Sequence, residues 1–383
     1  MVKKGLGVYI HIPFCVRKCR YCDFLSFDGR EEEMEAYVNA LIREIEIFFS
    51  REKEWFIKSV YLGGGTPSIL KPEWISRIIE SLYWNSSVSL GAEISMEANP
   101  GTLTKKGLHA LKSVGLNRLS MGLQSTVDKE LRFLGRIHSY EDFLRSYDAA
   151  VEEGFSNINI DLMSAIPYQT ISSLELSLER VLQLEPAHIS AYSLIVEEGT
   201  PFYEEKQLKQ LLPDEDTERE MYERTKEILA EKGYERYEIS NYAQKGKECR
   251  HNLLYWDRGD YIGFGLGAAS CIRDMRFSNT RDLKEYSKNP WRDFSDREEV
   301  EILSLQEQME EAMILGLRKI KGIHAQTFLE RYGMDMNEVF GDVISHYEKE
   351  GLLIKEEGWL RFTQRGFDVS NFVLCEFLNT KEG

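Results

Sequence analysis

The chain has 383 residues, 42% hydrophobic and 29% charged, which is an ordinary globular composition with length for one large domain and a smaller one. A net charge of −16 and an isoelectric point near 5.1 exclude a binder of nucleic-acid backbones, which needs a basic face. The apolar stretch after Lys3 and Lys4 is short and broken by His11 and Pro13, and no run of about eighteen apolar residues follows it. Neither a signal peptide nor a membrane span is expected, and the expected compartment is the cytoplasm. Six cysteines, three of them clustered, fit a reducing environment better than a disulfide scaffold.

From residue 7 to about 195, strand-like and helix-like segments alternate. Residues 7–12 read as a strand; Met34, Tyr37, Val38, Leu41, Ile42, Ile45 and Phe49 then recur at helical spacing. A strand at 59–62 precedes a helix that starts at Pro72 and carries Trp74, Ile75, Ile78, Ile79 and Leu82. The third strand is 92–97, with a helix near Leu108 and Leu111, and the fourth is 118–122. Ser139 reads as the N-cap of a helix through Phe143, Leu144, Tyr147 and Val151 that Gly154 closes. A fifth strand at 157–162, a helix at 174–182 and a sixth strand at 188–194 complete the series. Six β-α repeats predict an α/β fold, a parallel sheet with outer helices curled into a partial (βα)6 barrel. Function is then expected at the C-terminal ends of the strands.

Beyond 200 the chain turns acidic and helical, with Asp214-Glu215-Asp216 and a helix through Met221 and Ile228, and 246–290 is rich in Gly, Tyr and Arg. From about 300 a small α+β domain is expected: a helix over 312–317, helices before Gly333 and Gly351, and a hairpin from 352–354 to 359–362. That order resembles a winged helix. With nine Lys or Arg against fifteen Asp or Glu in 301–383, it reads as a scaffold or docking element and not as a nucleic-acid binder. The expected domains are 1–200, 201–295 (a connecting, ligand-binding region) and 296–383.

The chemistry concentrates where a strand ends. Cys15, Cys19 and Cys22 follow strand one at C-x3-C-x2-C spacing, so their sulfurs can converge on one point. A structural zinc takes four protein ligands and a purely electron-carrying Fe–S cube takes four cysteines, so three leave a position open, and the spacing alone does not choose between metals. Gly63-Gly64-Gly65-Thr66 follows strand two, a tight turn or a bare backbone that a ligand can approach. Glu97 ends strand three, Gln124 follows strand four, and Asp161 lies in strand five. Further on, His251-Asn252-Leu253-Leu254-Tyr255-Trp256 joins an imidazole to aromatic rings that could cover a flat ligand, with Cys249 beside it.

Preceded by Tyr9-Ile10-His11-Ile12-Pro13-Phe14, the segment from Cys15 to Cys22 resembles the cluster loop of the radical S-adenosylmethionine (SAM) superfamily. The neighbouring motifs resemble the group that holds oxygen-independent coproporphyrinogen III oxidase and the HemW heme chaperones. The resemblance implies a [4Fe–4S] cluster on Cys15, Cys19 and Cys22, with the open iron chelated by SAM. By the same resemblance Gly64, Gly65 and Thr66 meet the methionine end of SAM, and Glu97 is a second contact for the methionine or ribose. Gln124, Arg136 and Asp161 match further SAM-contacting positions, and Tyr9 and Tyr21 match aromatics packed against the nucleotide. An ion pair between Arg136 and Asp161 is the structural alternative, and whether one SAM or two bind stays open. His251-Asn252-x-x-Tyr255-Trp256 resembles the signature associated with heme binding in the chaperones, which makes His251 the expected heme ligand.

Two departures from the oxidase pattern direct the expectation. Phe24 stands where the oxidase has a fourth cysteine, and only fourteen residues precede Cys15 where the oxidase carries an extension of some tens. The expected function is therefore a heme chaperone carrying a [4Fe–4S] cluster, SAM and heme. The alternative is the radical decarboxylation of coproporphyrinogen III to protoporphyrinogen IX. Expected partners are heme and heme-accepting proteins, membrane-bound respiratory enzymes among them, and a second copy of the chain, with no nucleic acid.

Overall fold

A computed structural model describes residues 3–290 and 297–378. Six parallel strands run in sequence order: β1 (Lys4–Ile12), β2 (Trp55–Gly64), β3 (Ser87–Ala98), β4 (Arg118–Gln124), β5 (Ile158–Ser164) and β6 (His188–Ser193). Each is joined to the next through a helix, as right-handed βαβ crossovers require. The helix Met34–Arg51 buries Tyr37, Val38, Leu41, Ile45, Phe48 and Phe49 against the sheet, each large apolar side chain contributing about 1.5–3 kcal/mol. Ser139 and Asp142 form the capping box that starts the helix Tyr140–Glu152. Gln124, expected beyond its strand, is instead the last residue of β4 and adopts a positive φ of 72°.

The sheet continues past the six strands on both sides. At one edge β8 (Asn241–Ala243) and β7 (Glu235–Arg236) add antiparallel to β6. At the other, β9 (Tyr261–Phe264) pairs parallel to β1, followed by β10 (Ala269–Ile272), β11 (Met275–Ser278) and β12 (Glu298–Ile302). Among the described residues the sheet ends at β12 and β7. The expected boundary at 295/296 lies outside the described residues. On its C-terminal side β12 still belongs to this sheet, because its Glu-rich segment forms an edge that needs no second apolar face.

The strands alternate strictly between two faces. Leu119, Met121, Leu123, Ile158, Ile160, Leu162 and Ile189 point outward into the core beneath the helices. Their neighbours Arg118, Ser120, Gly122, Gln124, Asn159, Asp161 and Ser190 point inward, and all line one cavity. Parallel strands are usually apolar on both faces; here the inner face is polar because it surrounds a site.

A second core lies at the C-terminal end, built from Met309, Met313, Phe328, Phe340, Ile344, Leu360 and Phe362 among others. Its helices Leu305–Gly316, Ala325–Tyr332 and Met336–Lys349 pack on the antiparallel strands β13 (Ile323–His324), β14 (Leu353–Glu356) and β15 (Trp359–Phe362), in the order β13-β15-β14. Gly333, at φ 70°, closes the second of these helices as its spacing predicts. No helix of the described residues is long and apolar enough to cross a membrane.

Candidate functional site

Leaving β1, the cysteine loop is held at both ends. The amide of Cys15 donates to Phe27 O and that of Phe27 to Pro13 O (both 2.8 Å), while Arg20 N donates to Leu134 O and Phe202 N to Arg20 O. This clamp turns Cys15, Cys19 and Cys22 toward a cavity of about 330 Å³ at the C-terminal ends of the strands. No three His, Cys, Asp or Glu side chains among the described residues are close enough to share one metal ion. All three thiols line the same cavity.

The protein supplies donors to two of the sulfurs: Thr66 Oγ1 to Cys15 Sγ and Arg136 Nη1 to Cys19 Sγ, each at 3.6 Å. Burial raises the Cys15 thiol and pushes Cys22 up to about 11, so in the metal-free chain both carry protons that metal binding displaces. Cys15, Cys19 and Cys22 are all free thiols, as are Cys249, Cys271 and Cys375.

Against the thiols lies the glycine turn. Gly64 has φ +112°, and a Cβ there would sit 2.6 Å from the His11 ring. At Gly65 a Cβ would lie 2.6 Å from Phe14 O and 3.0 Å from Cys15 Sγ. Only glycine fits either place, and the result is a bare backbone edge beside the cysteines. Gly64 N donates to Glu97 Oε2 at 3.2 Å and the Tyr61 hydroxyl to Glu97 Oε1 at 3.0 Å. Burial, with the nearby charge of Asp161, pushes the Glu97 carboxyl up to about 7. Asp161 accepts from Asn159 Nδ2 at 2.7 Å and Ser120 Oγ at 3.3 Å, and burial raises it too.

The structure brings Cys15, Cys19, Cys22, Tyr21, Gly64, Gly65, Thr66, Glu97, Gln124, Arg136 and Asp161 to the same cavity. Arg136 does not pair with Asp161. Its Nη2 reaches Asn99 Oδ1 (2.8 Å) and Gly122 O, and its buried Nε has no partner. Sequence reasoning passed over Arg118. Its guanidinium is 2% exposed, lines the cavity floor, and has no hydrogen bond or ion pair among the described residues. The alternation of polar 118, 120, 122 and 124 with apolar 119, 121 and 123 is the signal that would have found it.

Tyr9 and His251 are placed differently. Both line a second cavity of about 980 Å³, which shares Phe24, Tyr61, Gly64, Glu97, Tyr192 and Asn252 with the first. Tyr9, expected on the nucleotide, instead bonds His11 Nδ1 at 3.0 Å and stacks on Tyr61. His251, expected to offer its imidazole to iron, is 1% exposed and packs flat on Tyr61. Both its nitrogens are engaged, Nδ1 with Ser59 Oγ and Nε2 with the Tyr255 hydroxyl, each at 2.9 Å. Burial, then the charge of Arg118, lowers its pKa to about 3, so the ring is neutral. The inward placement of the ring comes from Glu93, a buried acidic residue of β3 that accepts from Arg250 N and His251 N (both 3.2 Å) and so pins the start of the helix Arg250–Trp256 to the barrel. Cys249 is fully buried against the same Glu93 and is not among the cavity's lining residues; the cysteine in that lining is Cys271.

Three clustered thiols, a glycine turn and a polar barrel mouth define a protein of the radical SAM type. The family model of the radical SAM superfamily matches residues 9–181, and that of the HemN C-terminal domain matches residues 303–369. The chain is 38% identical to the heme chaperone HemW of Bacillus subtilis, covering 97% of this chain and 99% of that one. It is 34% identical to the heme chaperone HemW of Lactococcus lactis, covering 99% and 98%. The chain belongs to the HemW family of heme chaperones. Among solved structures, coproporphyrinogen III oxidase (HemN) of Escherichia coli matches with a TM-score of 0.85 at 24% identity, over 98% of this chain and 90% of that one, a likeness of fold. Phe24 is 58% exposed and lies on the wall common to both cavities.

Proposed function

We propose that this chain binds heme in the second cavity and passes it to acceptor proteins, while the first cavity holds a [4Fe–4S] cluster and SAM. The observation that carries this reading is the shared wall: one cavity is lined by the three thiols, and the adjoining, larger one by the helix that begins Arg250-His251-Asn252. At about 980 Å³ the larger space lies at the upper end of cofactor-site volumes.

In the first cavity Cys15, Cys19 and Cys22 would hold the cluster, which would supply a binding point for SAM and an electron. Gly64, Gly65 and Thr66 give the methionine end a backbone edge, and Glu97 faces its cationic groups. Arg136 orients the carboxylate, Asp161 and Gln124 accept from or donate to the ribose and base, and Tyr21 packs beside the nucleotide; Tyr9 supports Tyr61 from the heme side. His251 would hold the heme iron through Nε2. With Nδ1–H donating to Ser59, the Nε2 lone pair is directed at the Tyr255 hydroxyl, which must swing away to admit iron. The acceptors include membrane-bound respiratory enzymes, transfer takes place in the cytoplasm, and a homodimer is the working assembly.

Heme titration of the iron-reconstituted protein tests this. Wild type takes up heme in a fixed ratio with a histidine-type Soret band, His251→Ala loses that band with cluster content unchanged, and Tyr255→Phe, which uncaps Nε2, binds heme several-fold tighter. Unchanged affinity and spectrum in His251→Ala would overturn the assignment.

A further inference from the structure

Three arginines line the second cavity, and two of them are committed. Arg258 Nε donates to Glu311 Oε2 at 3.0 Å and its Nη1 to Asp274 Oδ1 at 2.9 Å; Arg276 pairs with the other oxygen of Glu311 and with Glu301. Arg281, exposed on the segment after β11, has no hydrogen-bond or ion-pair partner among the described residues. It is set against the wall by shape: a Cβ on Gly267 (φ +62°) would lie 2.5 Å from Leu25 Cδ2 and 3.6 Å from Arg281 Cγ, so the bare turn lets its stem lie alongside Leu25. The carboxylates in the lining do not answer it. Glu311 already serves two arginines, Glu97 is buried against Tyr61 and Gly64, and Asp23 is an exposed residue of the cysteine loop. Much of the remaining wall is aromatic or aliphatic, with Tyr61, Tyr255, Tyr261, Ile314 and Leu315. An apolar slot with one uncommitted guanidinium suits a flat hydrophobic ligand that carries a carboxylate.

We infer that Arg281 anchors a propionate of the bound tetrapyrrole, so that the second cavity selects porphyrins by their carboxylates as well as by their rings. This rests on the heme reading above. A planar, always-charged guanidinium can take both oxygens of a carboxylate at once, which a lysine cannot.

The test titrates hemin and hemin dimethyl ester into wild type, Arg281→Gln and Arg281→Lys, with iron content and SAM binding as folding controls. Arg281→Gln is expected to weaken hemin about tenfold, in line with the loss of a charge-assisted pair. The ester is expected to bind wild type about as weakly as hemin binds Arg281→Gln, and to be indifferent to the substitution; lysine restores part of the loss. Equal weakening of hemin and ester in Arg281→Gln, or no weakening of either, overturns the anchor while leaving the heme site standing. Failure of wild type to bind either ligand removes the heme reading and this inference with it.

Discussion

The first cavity takes most of its walls from consecutive strand ends of one sheet, whereas the second is assembled from β1, β9–β11, the helix Arg250–Trp256 and a helix of the C-terminal core. The first is polar and bonded in advance: Glu97, Asp161 and Arg136 are already held by Tyr61, Asn159 and Asn99. The second is wider, its histidine is capped, and two of its three arginines are tied to carboxylates from elsewhere in the chain. A site that must fix one reactive geometry gains from preorganisation, and one that must load and release its ligand gains from groups that can exchange partners.

If the two sites are separate in construction, destroying one should spare the other. Cys19→Ala removes a proposed cluster ligand and the partner of Arg136 Nη1. We expect complete loss of the cluster absorption and of SAM binding, with heme affinity within about threefold of wild type. Simultaneous loss of heme binding in a folded variant would show the shared wall to be a mechanical link.

The next largest effect concerns what it takes to bury acids in the first cavity. Glu97 holds its proton up to about 7 in the folded chain, against 4.5 for an open carboxyl. The folded state therefore binds the extra proton between those values, so stability falls as pH rises from about 4.5 to 7 and stays at the lower level above. Glu97→Gln keeps an acceptor oxygen for Gly64 N, turns its amide toward the Tyr61 hydroxyl as a donor, and needs no ionisation. It should stabilise the SAM-free protein by about 1–3 kcal/mol at pH 8 and by nothing near pH 4.5, read from denaturant midpoints, while SAM affinity falls. A gain independent of pH would mean that the carboxylate is not the source. Arg118 makes the complementary case. Replacing it with Met leaves the buried Glu97 and Asp161 without a cation whose field holds them down, so thermal stability should fall at pH 7 and above. The same change should weaken SAM about tenfold at pH 7, less so at pH 9.

How far each cavity was readable in the sequence follows from the same contrast. The first is local: the cysteine loop, Gly63–Thr66 and Glu97 each sit at the end of a strand whose alternation and turn residues mark it, Asp161 lies within the fifth, and the parallel order brings them together without long-range knowledge. Arg118 escaped because it lies at the start of its strand, where function is not sought, although its place in the polar alternation was visible. For the second cavity, neither Leu25, Tyr261, Arg281 nor Ile314 carries a signal alone, and they meet only because β9 pairs with β1 across some 250 residues of chain. The sequence reading singled out the motif at His251 but assigned no helix there, where the structure has Arg250–Trp256. It could not reveal that Glu93 pins that helix inward and that Tyr255 closes the imidazole.

The smallest predicted effect is the sharpest test of the contrast, because it touches neither cavity. Arg331, on the helix Ala325–Tyr332, donates to the carbonyls of Asp257 and Arg258, just past the helix Arg250–Trp256. Those bonds help seat the C-terminal core, from which Glu311, Ile314 and Leu315 close the second cavity. Arg331→Gln removes charge-assisted bonds at a partly exposed site, worth about 1 kcal/mol. If the C-terminal core forms a wall of the heme site and not of the SAM site, that small loosening should weaken heme two- to threefold and leave SAM affinity unchanged. Equal effects on both ligands would mean that the loosening passes through the helix Arg250–Trp256 and Glu93 into the barrel, so that the two cavities respond as one body despite their different construction.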